Sequence, residues 1–360
     1  MALLTRPLDS SFQVADVVPT TYTARVIAFD FPSSWAVQEP YSEADALRLE
    51  SDMREWLAPV LTTPALHKRF LAANAAGYGG HARIVGGRGG HYDAAVLVTK
   101  FVVLFTIWDD FIETASDPSS HIAAIKRMVD GKRDPHAQGF LALWQDYIAH
   151  AERLHRGPSV ERFRRAFHAW LDSILEELIL AHDDDVDLAT LWRVRKTSMS
   201  TYLLLVHVEA ISGVSLPDKI LQRNEMQQIF DHLAVDHRLL NELVSLPKDI
   251  LGQEAGNVLL ATMQTKRWDI QTTLNDAMQQ HKACVAGVDA LQKKLKVVAG
   301  SLKGDLTRFL DFTRHLILGF EEWHANAKRY SKVKIIDHKS ETFYTFRVQV
   351  HDSNQHDNVE

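Results

Sequence analysis

The feature that most restricts the fold is the spacing of apolar residues. It recurs every three or four positions in segment after segment and almost nowhere alternates in twos. A period of 3.6 residues places those side chains on one stripe of a helix. The stretches with this spacing run over roughly 41–58, 64–76, 91–115, 119–130, 137–154, 158–181, 187–211, 222–246, 249–281, 284–299 and 303–325. Helix-breaking punctuation separates many of them: Asp117-Pro118, Gly131, Asp134-Pro135, Gly157-Pro158, Pro217 and Gly304. No internal repeat occurs, and strands do not alternate with helices. The expectation is an all-α fold, a single-domain bundle of about eleven helices.

Two regions fall outside the pattern. Residues 1–30 carry little helical periodicity. Residues 331–360 include Glu341-Thr-Phe-Tyr-Thr-Phe-Arg-Val-Gln-Val350, which alternates like a strand and then turns polar. No second strand is evident to pair with it, so the organisation expected is an N-terminal segment 1–30, a helical domain 31–330 and a loosely held C-terminal tail 331–360.

Composition narrows the function. The net charge is −6, which gives no support to a nucleic-acid partner. A single cysteine, Cys284, excludes an intrachain disulfide and any multi-thiolate metal centre, and suits a cytoplasmic setting. The most apolar run, Ala94 to Trp108, is interrupted by Lys100 and falls short of the roughly 20 residues a membrane span takes. Seven glycines lie between Gly77 and Gly90, without the Lys-Ser/Thr of a phosphate-binding loop, so that stretch reads as a connection between helices.

The apolar run ends on Ile107-Trp-Asp-Asp-Phe-Ile-Glu113. Asp109 and Glu113 are four apart and share a helical face, with Asp110 beside them. Clustered carboxylates repel unless divalent cations neutralise them, and oxygen ligands of this kind suit Mg²⁺. A solvated helix end is the rival reading. Further on, Asn241, Ser245 and Asp249 fall at i, i+4 and i+8 of one face. An amide oxygen, a hydroxyl and a carboxylate make a plausible second metal site, and the adjacent Lys248 could reach a phosphate oxygen.

Taken together these motifs resemble those of the class I terpene synthases. Asp109-Asp110-x-x-Glu113 resembles the aspartate-rich metal motif, and Asn241-x-x-x-Ser245-x-x-x-Asp249 the second, Asn/Ser/Glu motif. Asn257-Val258 follows where microbial members carry an Asn-hydrophobic pair. Trp323-His-Ala-Asn-Ala-Lys-Arg329-Tyr330 is similar to the Trp-x5-Arg-Tyr ending, and Arg195 stands 46 residues before Asn241, where the family keeps a diphosphate-sensing arginine. The resemblance covers about residues 30–330.

It implies helices around a central apolar cavity and three Mg²⁺ ions, replaceable by Mn²⁺, held by Asp109, Asp110, Glu113, Asn241, Ser245 and Asp249. Arg195, Lys248, Arg329 and Tyr330 would bind the diphosphate, and Phe105 and Trp323 would line the cavity that shelters a carbocation. Core packing is the rival role for both aromatics. The implied substrate is an isoprenyl diphosphate, farnesyl diphosphate foremost, giving a sesquiterpene; geranylgeranyl, geranyl or methylated diphosphates are alternatives. No nucleic acid or membrane span is expected, and the chain would act as monomer or homodimer. A chain-elongating prenyltransferase would need a second aspartate-rich motif, and a non-catalytic isoprenoid-binding protein would be expected to have lost metal ligands.

The sequence departs from the family pattern in places. Asp249 is one methylene shorter than the usual Glu, and Pro247 is expected to kink its helix. Ser198 and Met199 stand where Asp and Gly are frequent after the sensing arginine. The acidic run His182-Asp-Asp-Asp-Val-Asp187 reads as a helix cap. The pairs Glu152/His155 and Glu321/His324 fall short of a di-iron set, and most of the histidines are expected at the surface.

Overall fold

The computed structural model describes residues 26–32, 35, 42–64, 67, 91–180, 186–252, 256–326, 333–339 and 343–350. In the strands, in 320–326 and at a few helix positions, among them Asp110, Pro247 and Lys248, it describes the backbone alone. The expected helix at 64–76, the glycine-rich stretch after it, and Arg329 and Tyr330 lie almost wholly outside these residues.

The chain forms β1 (Val26–Pro32), α1 (Glu43–Leu57), α2 (Tyr92–Ile112), α3 (Pro118–Val129), α4 (Gly139–Leu154), α5 (Pro158–Leu180), α6 (Leu188–Ser198), α7 (Thr201–Ser212), the short α8 (Asp218–Leu221), α9 (Asn224–Gly252), α10 (Val258–Lys266), α11 (Ile270–Val298), α12 (Lys303–Asn326), β2 (Val333–Lys339) and β3 (Phe343–Val350). Several helices start where a side chain satisfies the free N–H groups of the first turn. Ser42 and Asp45 form a reciprocal capping box on α1. Asp117 caps α3 with Pro118 at its first position. Asp187 caps α6, accepting from Thr190 N at 2.9 Å, so this acid does what its sequence context suggested.

Most of the core is one continuous apolar cluster with α7 near its centre, beside a small second cluster around Leu191 and Val258. Leu203, Leu204, Leu205, Val208 and Ile211 of α7 are all buried, and the helix packs against α2, α5, α6, α9 and α12. A helix apolar on every side has to sit inside the bundle. Aromatic rings join α2, α4 and α5: Phe101, Trp108, Trp144, Tyr147, Phe167 and Trp170 stack or meet edge to face.

Three helix boundaries differ from the sequence expectation. The segment 187–211 is two helices, because Ser200 adopts a left-handed backbone (φ 62°) between α6 and α7. Trp170 Nε1 donates to the Ser198 carbonyl at 3.1 Å at this break. Helix α9 is unbroken from Asn224 to Gly252, so Pro247 forfeits one helical hydrogen bond without ending the helix. The segments 249–281 and 284–299 are redistributed: α10 stops at Arg267, which is left-handed (φ 54°), and α11 then runs without interruption.

The largest correction concerns the chain ends. The strand expected to have no partner is β3, the centre of a three-stranded antiparallel sheet ordered β1-β3-β2. Val26 pairs with Gln349 and Pro32 with Phe343 on one side, and Val333 pairs with Val350 on the other. The sheet lies against α9, α11 and α12. Its first strand comes from the opposite end of the chain, a pairing that no local pattern announces.

Several histidines are also not at the surface: His150, His155, His207, His237 and His281 are buried. Burial is tolerated because they are hydrogen-bonded. Tyr147 Oη meets His207 Nε2 at 2.6 Å, His207 Nδ1 meets His155 Nε2 at 2.9 Å, and His155 Nδ1 meets Ser159 Oγ at 2.7 Å. Ser159 Oγ in turn donates to Glu209, which Arg162 holds. His155 is thus committed to a structural chain. Its neighbour Glu152 accepts from Arg133 and Arg164, so this pair forms no iron site.

Candidate metal and diphosphate site

Asp109 closes the last turn of α2 and is fully buried, while Glu113 just beyond it is half-buried. Burial of Asp109 sets aside the reading of this motif as a solvated helix end. One turn earlier, Phe105 is 6% exposed. Its ring stacks on Phe101 at 5.9 Å and meets Trp170 edge-on at 5.4 Å, so at least part of it belongs to the aromatic core. The Trp323 side chain lies outside the described residues.

On α9, Asn241, Ser245 and Asp249 are all buried. Because α9 continues through Pro247, Asp249 stays one turn beyond Ser245, and Ser245 Oγ donates to Asp249 Oδ2 at 2.7 Å. Asn257 fixes the group from outside the helix. Its amide nitrogen donates to Asp249 Oδ2 at 2.8 Å, to Ser245 Oγ at 3.1 Å and to the Glu242 carbonyl at 2.7 Å. Its amide oxygen accepts from Leu259 N and Leu260 N and so caps α10. The same face of Asp249 leaves Oδ1 buried with no hydrogen-bond donor. A buried carboxylate oxygen without a donor is costly unless a cation meets it. With the Ser245 hydroxyl and the Asn241 amide on the same face of α9, this donor set fits a hard divalent cation. Among the described residues no three His, Cys, Asp or Glu side chains gather closely enough to hold a metal by themselves. Both motif helices pack on α7.

Arg195 lies in the last turn of α6 and is 4% exposed. It does not stand open as an anion fork. Its Nε and Nη2 donate to Glu242 Oε1 at 2.9 and 2.7 Å, and its Nη1 donates to Glu177 Oε1 at 2.6 Å. Burial opposes the guanidinium charge, but the two carboxylates outweigh it and raise the pKa. Glu242 Oε2 also accepts from Val258 N at 2.9 Å. One residue therefore links α9, Arg195 and the start of α10. Arg238, one turn before Glu242, is 1% exposed. Its guanidinium lies 3.2 Å from the centre of the Trp192 ring and Nη1 donates to the Trp192 carbonyl. Its Nε and Nη2 have no hydrogen-bond partner. Burial lowers its pKa to about 9, against the pull of Glu242, so it remains a cation at neutral pH.

Glu177, Glu242, Arg238 and the bonding role of Asn257 were missed in the sequence. Glu242 stands directly after Asn241, a signal that was available. Glu177 and Arg238 become recognisable only once α5, α6 and α9 are side by side.

The fold is that of linalool/nerolidol synthase from Streptomyces clavuligerus: TM-score 0.71 at 16% identity, covering 80% of this chain and 99% of that one. Hedycaryol synthase matches with TM-score 0.69 at 16% identity, over 83% of this chain and 99% of that one. The terpene cyclase braA of Annulohypoxylon truncatum is 22% identical over 269 residues, 68% of this chain and 70% of that protein. The class defined is the class I microbial terpene synthases, enzymes of lyase type. Residues 100–286 match terpene synthase family 2, C-terminal metal binding, and the chain belongs to that family. Use of a divalent metal follows from that membership. No helix among the described residues is long and apolar enough to cross a membrane.

Proposed function

We propose that the chain ionises an isoprenyl diphosphate, farnesyl diphosphate foremost, and steers the allylic cation to a sesquiterpene with release of diphosphate. The observation that carries this is Asp249 Oδ1, buried without a donor on a carboxylate that Ser245 and Asn257 hold in place. Asp109, Asp110 and Glu113 would hold metal from α2, and Asn241, Ser245 and Asp249 from α9. Three Mg²⁺ ions, or Mn²⁺, would supply Lewis acidity to the leaving group.

The chain's own part is positioning and protection. Arg195, Lys248, Arg329 and Tyr330 would donate to the diphosphate oxygens; arginine suits this because its planar fork makes two-point contacts. Phe105 and Trp323 would offer ring faces to the cation, each contributing roughly 0.5–2 kcal/mol. Exclusion of water prevents quenching and strengthens every charge contact inside the site. The catalytic unit spans about residues 31–330, in a cytoplasmic monomer or homodimer. The family and the likeness to synthases of linalool, nerolidol and hedycaryol support this reading.

Two variants test it. Asp109→Asn should lower turnover at millimolar Mg²⁺ by at least about a hundredfold, roughly 2.7 kcal/mol of barrier. Asn241→Ala combined with Ser245→Ala should do the same with the far-UV helical signal intact. Near-wild-type rates in either would remove the metal assignment.

A further inference from the structure

Arg195 poses a problem for any anion-binding role. Three of its five N–H bonds are already given to two buried carboxylates. If it turns toward a diphosphate, the bonds at hand to release are those on Glu242, and Glu242 is 1% exposed. A buried carboxylate stripped of its cation is strongly destabilising. Such a cost would erase much of what the arginine gains from the anion.

The structure holds a spare cation beside that carboxylate. Arg238 lies four residues before Glu242 on α9, the spacing at which helical side chains meet. It is buried, and two of its guanidinium nitrogens have no hydrogen-bond partner. What it does have is the face of Trp192 and one carbonyl, both on α6, the helix that also carries Arg195. A desolvated guanidinium with open donors is an unfavourable arrangement by itself. It becomes sensible if those donors are used in another state of the protein.

We propose that Arg238 is a positioning residue that takes over Glu242 when Arg195 turns from it to the diphosphate. The proposal rests on Arg195 reading diphosphate, as argued above. In the ligand-free state Arg195 neutralises Glu242 and Arg238 rests on Trp192. In the diphosphate state Arg195 keeps Glu177, Arg238 leaves the Trp192 ring, and its Nε and Nη2 donate to Glu242. Glu242 thus keeps a cation in either state, and Asn241, adjacent to Glu242, keeps its place. The exchange also joins anion binding to the α6–α9 contact, so the site tightens as it fills.

The test uses the full chain, Mg²⁺ and inorganic diphosphate, with affinity read by calorimetry and the Tm shift beside it. Arg238→Gln should weaken diphosphate binding by about tenfold or more, and Arg238→Lys, which keeps the charge, by much less. Adding Glu242→Gln to Arg238→Gln should restore most of the affinity, since no charge then needs a partner. A purely structural Arg238 would show no such rescue. If Arg195→Ala weakens binding while Arg238→Gln binds like wild type, the exchange is wrong and the reading of Arg195 stands. If Arg195→Ala binds like wild type, that reading fails and the exchange with it.

A second measurement does not require the Arg238 variants to fold. Diphosphate with Mg²⁺ should change the tryptophan fluorescence of the wild-type protein, and the change should be much smaller in Trp192→Phe. Equal changes in the two proteins would overturn the proposal.

Discussion

Asn257 Nδ2 lies 2.8 Å from Asp249 Oδ2 and donates to it, joining the N-terminus of α10 to the last residue of the proposed second metal motif. The same amide holds Ser245 Oγ, and its oxygen caps α10. A residue outside the motif thus sets the orientation of two of its proposed ligands. Asn257→Ala should cost about 1–2 kcal/mol of stability through the lost cap. It should also raise the Mg²⁺ concentration needed for half-maximal turnover several-fold. Denaturant unfolding and a Mg²⁺ titration of activity check the two effects separately. A variant with normal Mg²⁺ dependence would show that Asn257 serves α10 alone.

Asp249→Glu separates a ligand from a neighbour. The aspartate already fits between Ser245 and Asn257 through Oδ2, leaving Oδ1 for the cation. One more methylene must push into this close-packed site. Turnover of Asp249→Glu should therefore drop by about tenfold or more, and Asp249→Ala should drop further. Matching or improved activity in the Glu variant would mean that Asp249 is only a short substitute. Unchanged activity in both would remove it from the metal site.

The Arg195 cluster predicts a stability effect apart from catalysis. Arg195→Leu leaves the Glu177 carboxylate buried without its cation, while Arg238 is at hand for Glu242, at a cost of about 3–5 kcal/mol. Adding Glu177→Gln should recover part of that loss, because one buried charge is then gone. Chemical unfolding of the single and double variants measures it. A loss below about 1 kcal/mol in Arg195→Leu would contradict the ion-pair account.

The legible part of this protein was the local part. Helical spacing located most of the bundle, and the four-residue steps Asp109–Glu113 and Asn241–Ser245–Asp249 put the proposed ligands on shared faces. The rest depends on contacts distant in sequence. The partner of β3 is β1, at the other end of the chain. Ser200 breaks α6 from α7 without a glycine or proline to mark it, and Pro247, which should mark a break, sits within an unbroken α9. Arg195 was legible as an arginine at the right distance. Its two glutamates were not, because they arrive from α5 and α9 only when the helices pack.

The buried histidines predict an acid-sensitive fold. Burial lowers the pKa of His155 and of His237 to about 4, and that of His207 well below its ordinary value. Each is held neutral in the native state, whereas in the unfolded chain a histidine takes up a proton near 6.5. Their contribution is thus complete above about pH 6.5 and is lost as the pH falls from there toward 4, by up to about 1.4 kcal/mol per pH unit for each histidine. The Tm should decline between pH 6.5 and 4.5, before most carboxylates titrate. A flat Tm across that window would show that the histidines take up protons without unfolding.

Metal-dependent ionisation of an isoprenyl diphosphate is read from product formation. The full chain is incubated with Mg²⁺ and farnesyl, geranyl or geranylgeranyl diphosphate, each with and without a chelator, and a pentane extract is examined by gas chromatography. The account predicts volatile hydrocarbon or alcohol with stoichiometric release of diphosphate, most from farnesyl diphosphate and none once the metal is removed. Longer diphosphates as product, or no turnover of any of the three, would contradict it.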